Sequence, residues 1–347
     1  MFTLSQASYD TKEILKWGGL FIAGLVVVIV FIQMFLMVKE AIFPTPEAKP
    51  TLAFNKLDPQ LFPANVTDKK LTYKINTLTG FLPTFTDQMK VFKIKAFTPD
   101  LLSLQNAKDK VKSAGFTSAP TQISNINYEW NNTDEAGLTQ NIKMDIVSNN
   151  FSLTSDYLTN QALLADKTQP NEQDSIKAAT NYLNKINSLP TDIDTTKTNT
   201  SFLTIQNGAF VPVASLSEAN AVEVDFFQQD IDKIPIVYEK PNSSSLNFLI
   251  GPGGEIVEAQ YFYQTPSEES ATYPVKTSAQ AYQALQNGFA YIASYDGAST
   301  TVSINNAFPA YYLSSQSQNF LMPVIVFEGS DNFIAYVPLV TDEWINK

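Results

Sequence analysis

Four carboxylates crowd the stretch VEVDFFQQDIDK, residues 222–233: Glu223, Asp225, Asp230 and Asp232. Calcium takes oxygen ligands of this kind, and a pair of acids can run glycoside hydrolysis with no other side chain. The local pattern argues for something plainer. No D-x-[DN]-x-[DN]-G loop is present, and Glu223 and Asp225 simply alternate with Val222, Val224 and Phe226, as the wet face of a strand does. The reading is therefore no metal site, with Asp225, Asp230 and Asp232 the residues to inspect if a cation binds. Among 34 acidic residues, nothing selects a catalytic pair.

What is missing narrows the chemistry further. The chain of 347 residues has no Cys and no His, and all 23 of its basic residues are Lys. Without thiolate or imidazole there is no disulfide framework, no Cys- or His-ligated zinc, and no Ser-His-Asp or Cys-His nucleophile. Without guanidinium there is no planar fork for phosphate or carboxylate, and no arginine finger. The net charge of −11 repels a phosphate backbone, so nucleic acid is not an expected partner. GPGG at 251–254 lacks the Lys and the following helix of a phosphate loop, and no cofactor is expected. These omissions point to a protein without enzymatic activity.

Aromatic pairs offer a second kind of site. Phe226-Phe227, Tyr261-Phe262-Tyr263 and Tyr311-Tyr312 lie in strand-like runs, where aromatics chiefly serve packing. If a partner groove exists, Phe227, Tyr261, Tyr263, Tyr311 and Tyr312 would line it. Asn65-Val66-Thr67, Asn150-Phe151-Ser152 and Asn242-Ser243-Ser244 match the glycosylation sequon, as many Asn- and Ser-rich chains do by accident.

The elements that must hold these residues follow one pattern three times over: a short amphipathic helix, then alternating strands. Thr98 and Pro99 suit a helix start and Gly115 its left-handed exit. Leu101, Leu104, Ala107 and Val111 make the apolar stripe between them. A second helix carries Ile176, Ala179, Leu183 and Ile186 on one face, and a third opens with Thr277 and Gln280 at capping-box spacing and ends at Gly288. Strands follow each: 126–130 and 141–147; 221–227, 234–239, 246–251 and 255–263; then 300–313, 320–329 and 332–340. GPGG reads as a hairpin turn. Polar breaks near 165–172 and 264–276 read as linkers. The expected class is α+β, with repeated modules of one short helix packed on an antiparallel sheet, at 64–165, 170–264 and 275–347.

Ahead of them, residues 17–38 form a run of 22 without a formal charge, long enough as a helix to cross the ~30 Å hydrocarbon core. Trp17, Leu20, Phe21, Val26, Val27, Val28, Phe31, Phe35 and Val38 would meet the lipid bilayer. The tail 1–16 is read as cytoplasmic. Residues 39–63 are a stalk stiffened by Pro44, Pro46, Pro50, Pro59 and Pro63, whose interleaved Phe43, Phe54 and Phe62 suit docking of part of it onto the folded body. The expected address is the cytoplasmic membrane, crossed once, with the carboxy-terminal bulk outside it.

The SAQAYQALQNG helix, the strand holding Ala310-Tyr311-Tyr312 and the run PVIVFEG with Pro323 and Phe327 resemble the carboxy-terminal module of Yyc-type sensor-kinase regulators and PepSY-like domains. The resemblance covers residues 170–345. The stalk at 42–57 is similar to that of uncharacterised anchored surface proteins of candidate-phylum bacteria. Neither resemblance implies a catalytic residue; the first implies a single-pass protein outside the cell that acts through a partner, the second a surface-exposed protein of unknown activity. The functional expectation is a membrane-anchored, extracytoplasmic binding or regulatory protein of the bacterial envelope, contacting a protein or envelope partner. Two alternatives stand beside it: a pilin-like filament or surface subunit, and a carboxylate-dependent envelope hydrolase.

Overall fold

Alternating strands joined by tight turns fill most of the chain beyond residue 70, and they gather into two large sheets. The computed structural model describes residues 21, 24–35 and 49–346, apart from 136, 167 and 169. It divides into two units, Met1–Lys49 and Pro50–Lys347.

In the first unit residue 21 and residues 24–35, labelled α1, are helical. Among the described residues no helix is long and apolar enough to cross a membrane. This overturns the expectation of a single-pass signal anchor, and the membrane and extracytoplasmic placement that rested on it. An uncharged run is compatible with a membrane span but does not by itself make one. Phe21, Val26, Val27, Val28, Phe31 and Phe35 are exposed within the unit. Trp17, Leu20 and Val38 lie outside the described residues.

The second unit opens with β1 (Thr72–Ile75), β2 (Gln88–Ile94) and α2 (Ser103–Ala114). Then come β3 (Thr121–Gln122), β4 (Asn127–Thr133), β5 (Thr139–Asp145), β6 (Phe151–Ser155), α3 (Gln161–Ala165) and α4 (Glu172–Lys185). The middle holds β7 (Asn199–Gln206), β8 (Ala209–Val213), β9 (Ala221–Asp225), β10 (Ile236–Tyr238), β11 (Leu246–Ile250) and β12 (Ile256–Tyr261). The chain closes with β13 (Pro266–Pro274), α5 (Ser278–Gln286), β14 (Tyr291–Ser294), β15 (Thr301–Leu313), β16 (Phe320–Gly329) and β17 (Phe333–Pro338).

Nine strands pair in the order β3-β4-β5-β6-β12-β11-β9-β7-β8. Helices α2 and α4 cover one face, burying Ala107, Val111, Ala179 and Leu183 against Trp130, Ile142, Val224 and Phe248. Lys110 ties the two helices together. From α2 it donates to the carbonyls of Ile186 (3.2 Å) and Asn187 (2.8 Å), the carboxy-terminal groups that α4 leaves unpaired and a cation complements. Burial holds its ammonium below the usual lysine range.

The other sheet has eight strands around β15 and β16, with β17 and β14 on one flank. α5 lies on β17, setting Ala281 and Leu285 against Phe327, Phe333 and Ala335. On the side away from β16, β15 pairs with β1 over residues 301–304 and with β10 over 311–313. Pro309 falls in the gap between. Tyr311 N–H donates towards β10, to Pro235 O, so the N–H that Pro309 lacks would have pointed into that gap. A proline in mid-strand therefore costs no ladder bond. Gly329 lets β16 close onto β15: a Cβ there would meet Ser303 O at 2.7 Å.

The α+β expectation is thereby corrected. Among the described residues strand outweighs helix, 37% against 21%, and the strands do not stay in three successive helix-on-sheet modules. β1 and β2 leave the first stretch to pair with β15, β16 and β13, and β10 leaves the second to pair with β15. The supposed linker 264–276 is largely β13, matched to β2 from Pro266↔Ile94 to Pro274↔Gln88. A polar stretch such as PSEESATYP shows little alternation, and its partner lies far away in sequence, where local pattern is blind. Of the proline-rich stretch, Phe54 stacks near Phe320 (5.2 Å) and Phe62 near Tyr312 (4.7 Å).

The two sheets are joined by a buried amide. Gln264, 5% exposed, donates to Ser314 O (3.0 Å) and Gln316 O (3.3 Å) and accepts from Gln318 N–H (3.0 Å). Gln264→Ala strands these main-chain groups, so stability should fall by about 2–3 kcal/mol, the cost of unpaired buried partners. Urea unfolding of the two proteins would measure it, and equal midpoints would refute the joint.

Candidate functional site

The acidic segment that sequence singles out is dispersed. Asp225 ends β9 and is 1% exposed; its Oδ1 accepts from Ser244 N–H (2.8 Å) and Ser243 Oγ (3.2 Å). Asp230 pairs with Lys197, and Asp232 pairs with Lys90 at 2.7 Å. Among the described residues no group of three or more acidic side chains is gathered to hold a metal. The alternation of Glu223 and Asp225 does put both on one sheet face, but that face is not simply wet. Burial pushes Glu223 above the usual carboxylate range, with Lys240 opposing. Burial likewise raises Asp225 to about 7, against the Ser244 hydrogen bond and with Glu223 adding to the rise.

The five aromatic candidates also separate. Tyr261 stacks on Phe151 (5.1 Å) beneath the helices and donates to Ser188 O. Tyr263 donates to Asp192 Oδ1 at 2.7 Å. Tyr311 meets Phe92 edge-on and donates to Lys90 O. Tyr312 donates to Leu61 O. Each hydroxyl has a partner within the chain, so these four rings do packing work and their polar tips are spent. Burial raises the phenol pKa of all four. Phe227 alone of the five borders a large cavity.

That cavity, about 710 Å³, is a groove between the two sheets. Its floor is the face of the eight-stranded sheet opposite α5. Phe308, Val326 and Tyr336 stand abreast on β15, β16 and β17, and Ile334 pairs with Glu328 one step along. One side is built by Ile236, Val237 and Tyr238 of β10. β10 pairs with β15 on the side away from β16, so it flanks the floor, with Val237 packed beside Phe308 and Tyr336. The opposite side is the start of β7, with Asn199 and Ser201, and residues 240–243 form a wall. Asn199 Nδ2 donates to Asn242 O at 3.4 Å, fastening wall to strand. Lys240 and Glu328 supply charge at the rim, where Lys197 is already paired with Asp194 and Asp230.

The volume lies within the roughly 300–1,000 Å³ of ligand pockets, and the apolar floor is bordered by polar side chains, among them Asn199, Ser201, Asn242 and Ser243. Sequence reasoning did not find Phe308, Val326, Ile334 or Tyr336. Nothing distinguishes their alternation from that of core residues, and only the mid-strand Pro309 signals that this stretch of β15 lacks a neighbour.

No family model matches the chain, and no curated protein matches it. Among solved structures it is similar to an uncharacterised protein from Eubacterium rectale ATCC 33656, at 10% sequence identity and a TM-score of 0.31, over 79% of this chain and 90% of that chain. A likeness at that score carries no argument, and it has no bearing on PepSY-like or Yyc-type modules.

Proposed function

We propose that this chain is a non-enzymatic binding protein whose inter-sheet groove receives an extended segment of a protein partner, laid over its apolar floor. The observation that carries the reading is an apolar floor at Phe308, Val326 and Tyr336 that opens between the two sheets and is flanked by Val237 of β10. Such a floor receives the apolar side chains of an incoming segment, and the polar groups of Asn199, Ser201 and Asn242 at the groove's side meet its main chain. A carboxylate hydrolase is less well supported, because Asp225 is buried and enclosed by Ser243 and Ser244, whereas a catalytic acid must reach its substrate. The filament alternative rested on the amino-terminal helix and gains nothing from the two sheets.

Selection of displayed random peptides on the full chain should return extended, apolar-alternating sequences. Phe308→Lys, which sets a charge in the floor of a half-buried position, should weaken the selected peptides at least ~tenfold while leaving the melting temperature within a few degrees. Peptides that bind both proteins equally would overturn the groove as the site. Turnover in a panel of glycan and peptide substrates would overturn the non-enzymatic part.

A further inference from the structure

We propose, on the strength of the groove reading above, that the Tyr336 hydroxyl is the donor that fixes the bound segment, and that this segment carries an aromatic side chain next to the carbonyl so held. Three tyrosines cluster on the floor face, with Tyr336 lying 5.9 Å from both Tyr291 and Tyr312. Tyr291 donates to Glu239 O (3.0 Å) and Tyr312 to Leu61 O (3.1 Å). Tyr336 is 2% exposed, yet its hydroxyl has no hydrogen-bond partner among the described residues and is not sealed from solvent. A hydroxyl on a ring so deeply buried ordinarily finds a partner. This residue borders the groove, so in the free protein water serves the hydroxyl, and a carbonyl entering the groove replaces that water.

The chain itself shows how this face takes an extended segment. Leu61, Phe62 and Pro63 cross part of it without belonging to a strand. Leu61 gives its carbonyl to Tyr312, and the next ring, Phe62, stacks on Tyr291 (5.5 Å) and tilts against Tyr312 (4.7 Å). Pro63 restricts Phe62 to extended backbone. Phe62, Phe308, Ile334 and Val237 all pack on the one cluster that holds the three tyrosines. Phe62 covers the part at Tyr291 and Tyr312, whereas Phe308, Ile334 and Val237 remain half-buried where the groove opens at Tyr336. The open part thus repeats the covered one, with a tyrosine hydroxyl to fix a carbonyl and an apolar bed for the side chain that follows. Ring against ring gains more than the buried area alone, so the occupant that fits beside Phe308 is an aromatic residue on extended backbone.

Peptides selected by display on the full chain, then synthesised, decide it. They should share an aromatic residue, and replacing that residue by Leu should weaken binding about fivefold. Tyr336→Phe, which removes the hydroxyl alone, should weaken them about tenfold and leave the melting temperature unchanged. Exchanging the aromatic residue for its α-hydroxy acid turns the preceding amide into an ester, whose carbonyl is the poorer acceptor. The ester should weaken binding to the wild-type protein more than to Tyr336→Phe, a coupling that a merely structural role of the hydroxyl does not produce. If the variant does not fold, an ester that binds the wild-type protein undiminished overturns the donor role by itself. Selected peptides that lack an aromatic residue, or that bind Tyr336→Phe as tightly as wild type, overturn this proposal, and the groove reading stands if Phe308→Lys still weakens them. Selection that returns no peptide, or peptides indifferent to Phe308→Lys, refutes the groove reading and this proposal with it.

Discussion

Raising the pH from 4 to 7.5 should lower the unfolding free energy of the wild-type chain by roughly 4 kcal/mol more than that of Asp225→Asn. The folded protein holds the Asp225 proton up to about 7, whereas an ordinary aspartate releases it near 3.8. Between those values the unfolded chain binds fewer protons than the folded one, so stability falls as pH rises. The contribution is fully present below pH 4 and gone above 7. Asparagine keeps the oxygen that accepts from Ser243 and Ser244 and cannot ionise, so its profile lacks this fall. Burial also raises Glu223, Glu258 and Glu255, which slope both profiles in the same direction. Asp166 and Asp194, lowered by hydrogen bonds from Thr168 and Thr196, act in the opposite sense as pH falls. Chemical denaturation of both proteins at several pH values isolates the difference, and parallel profiles would refute it.

Phe248→Ala should cost about 3–5 kcal/mol. The ring is 0% exposed on the central strand β11, edge-on to Phe226 at 5.9 Å and tilted against Tyr182 of α4 at 6.1 Å. It is the contact by which α4 seats on the nine-stranded sheet, and rigid strands on either side leave the cavity little room to collapse. The urea midpoint should drop with the slope unchanged, because the surface exposed on unfolding is nearly the same. A loss below about 1 kcal/mol would mean that α4 is loosely docked, contrary to the packing described.

Some elements were open to sequence reasoning because their causes lie within a few residues. Thr277 and Gln280 form the capping box that their spacing announces, and Gly115 takes the left-handed exit at φ 111°. GPGG turns β11 into β12. α2 starts at Ser103, later than Thr98 and Pro99 suggest, because residues 100–102 form a turn in which Asp100 Oδ1 accepts from Leu102 N–H (2.6 Å); Leu101 is left fully exposed instead of joining the stripe. β7 and β8 went unseen although Asn207-Gly208, at φ 53° and 76°, is a strong hairpin signal.

The candidate site was a different matter. Alternation states which residues share a face and is silent on what covers that face, so Tyr311 and Tyr312 in the core read like Phe308 in a groove. The ionisation of Asp225 depends on a wall 15 or more residues further along the chain, and the groove on strands that meet from three stretches of sequence. The amino-acid sequence by itself determined the local turns, caps and strand faces, and the absence of thiol, imidazole and guanidinium chemistry. Only the tertiary structure decided how the strands divide into two sheets, and hence where the groove opens, because pairing between distant strands is chosen by the whole packed core and not by either strand alone.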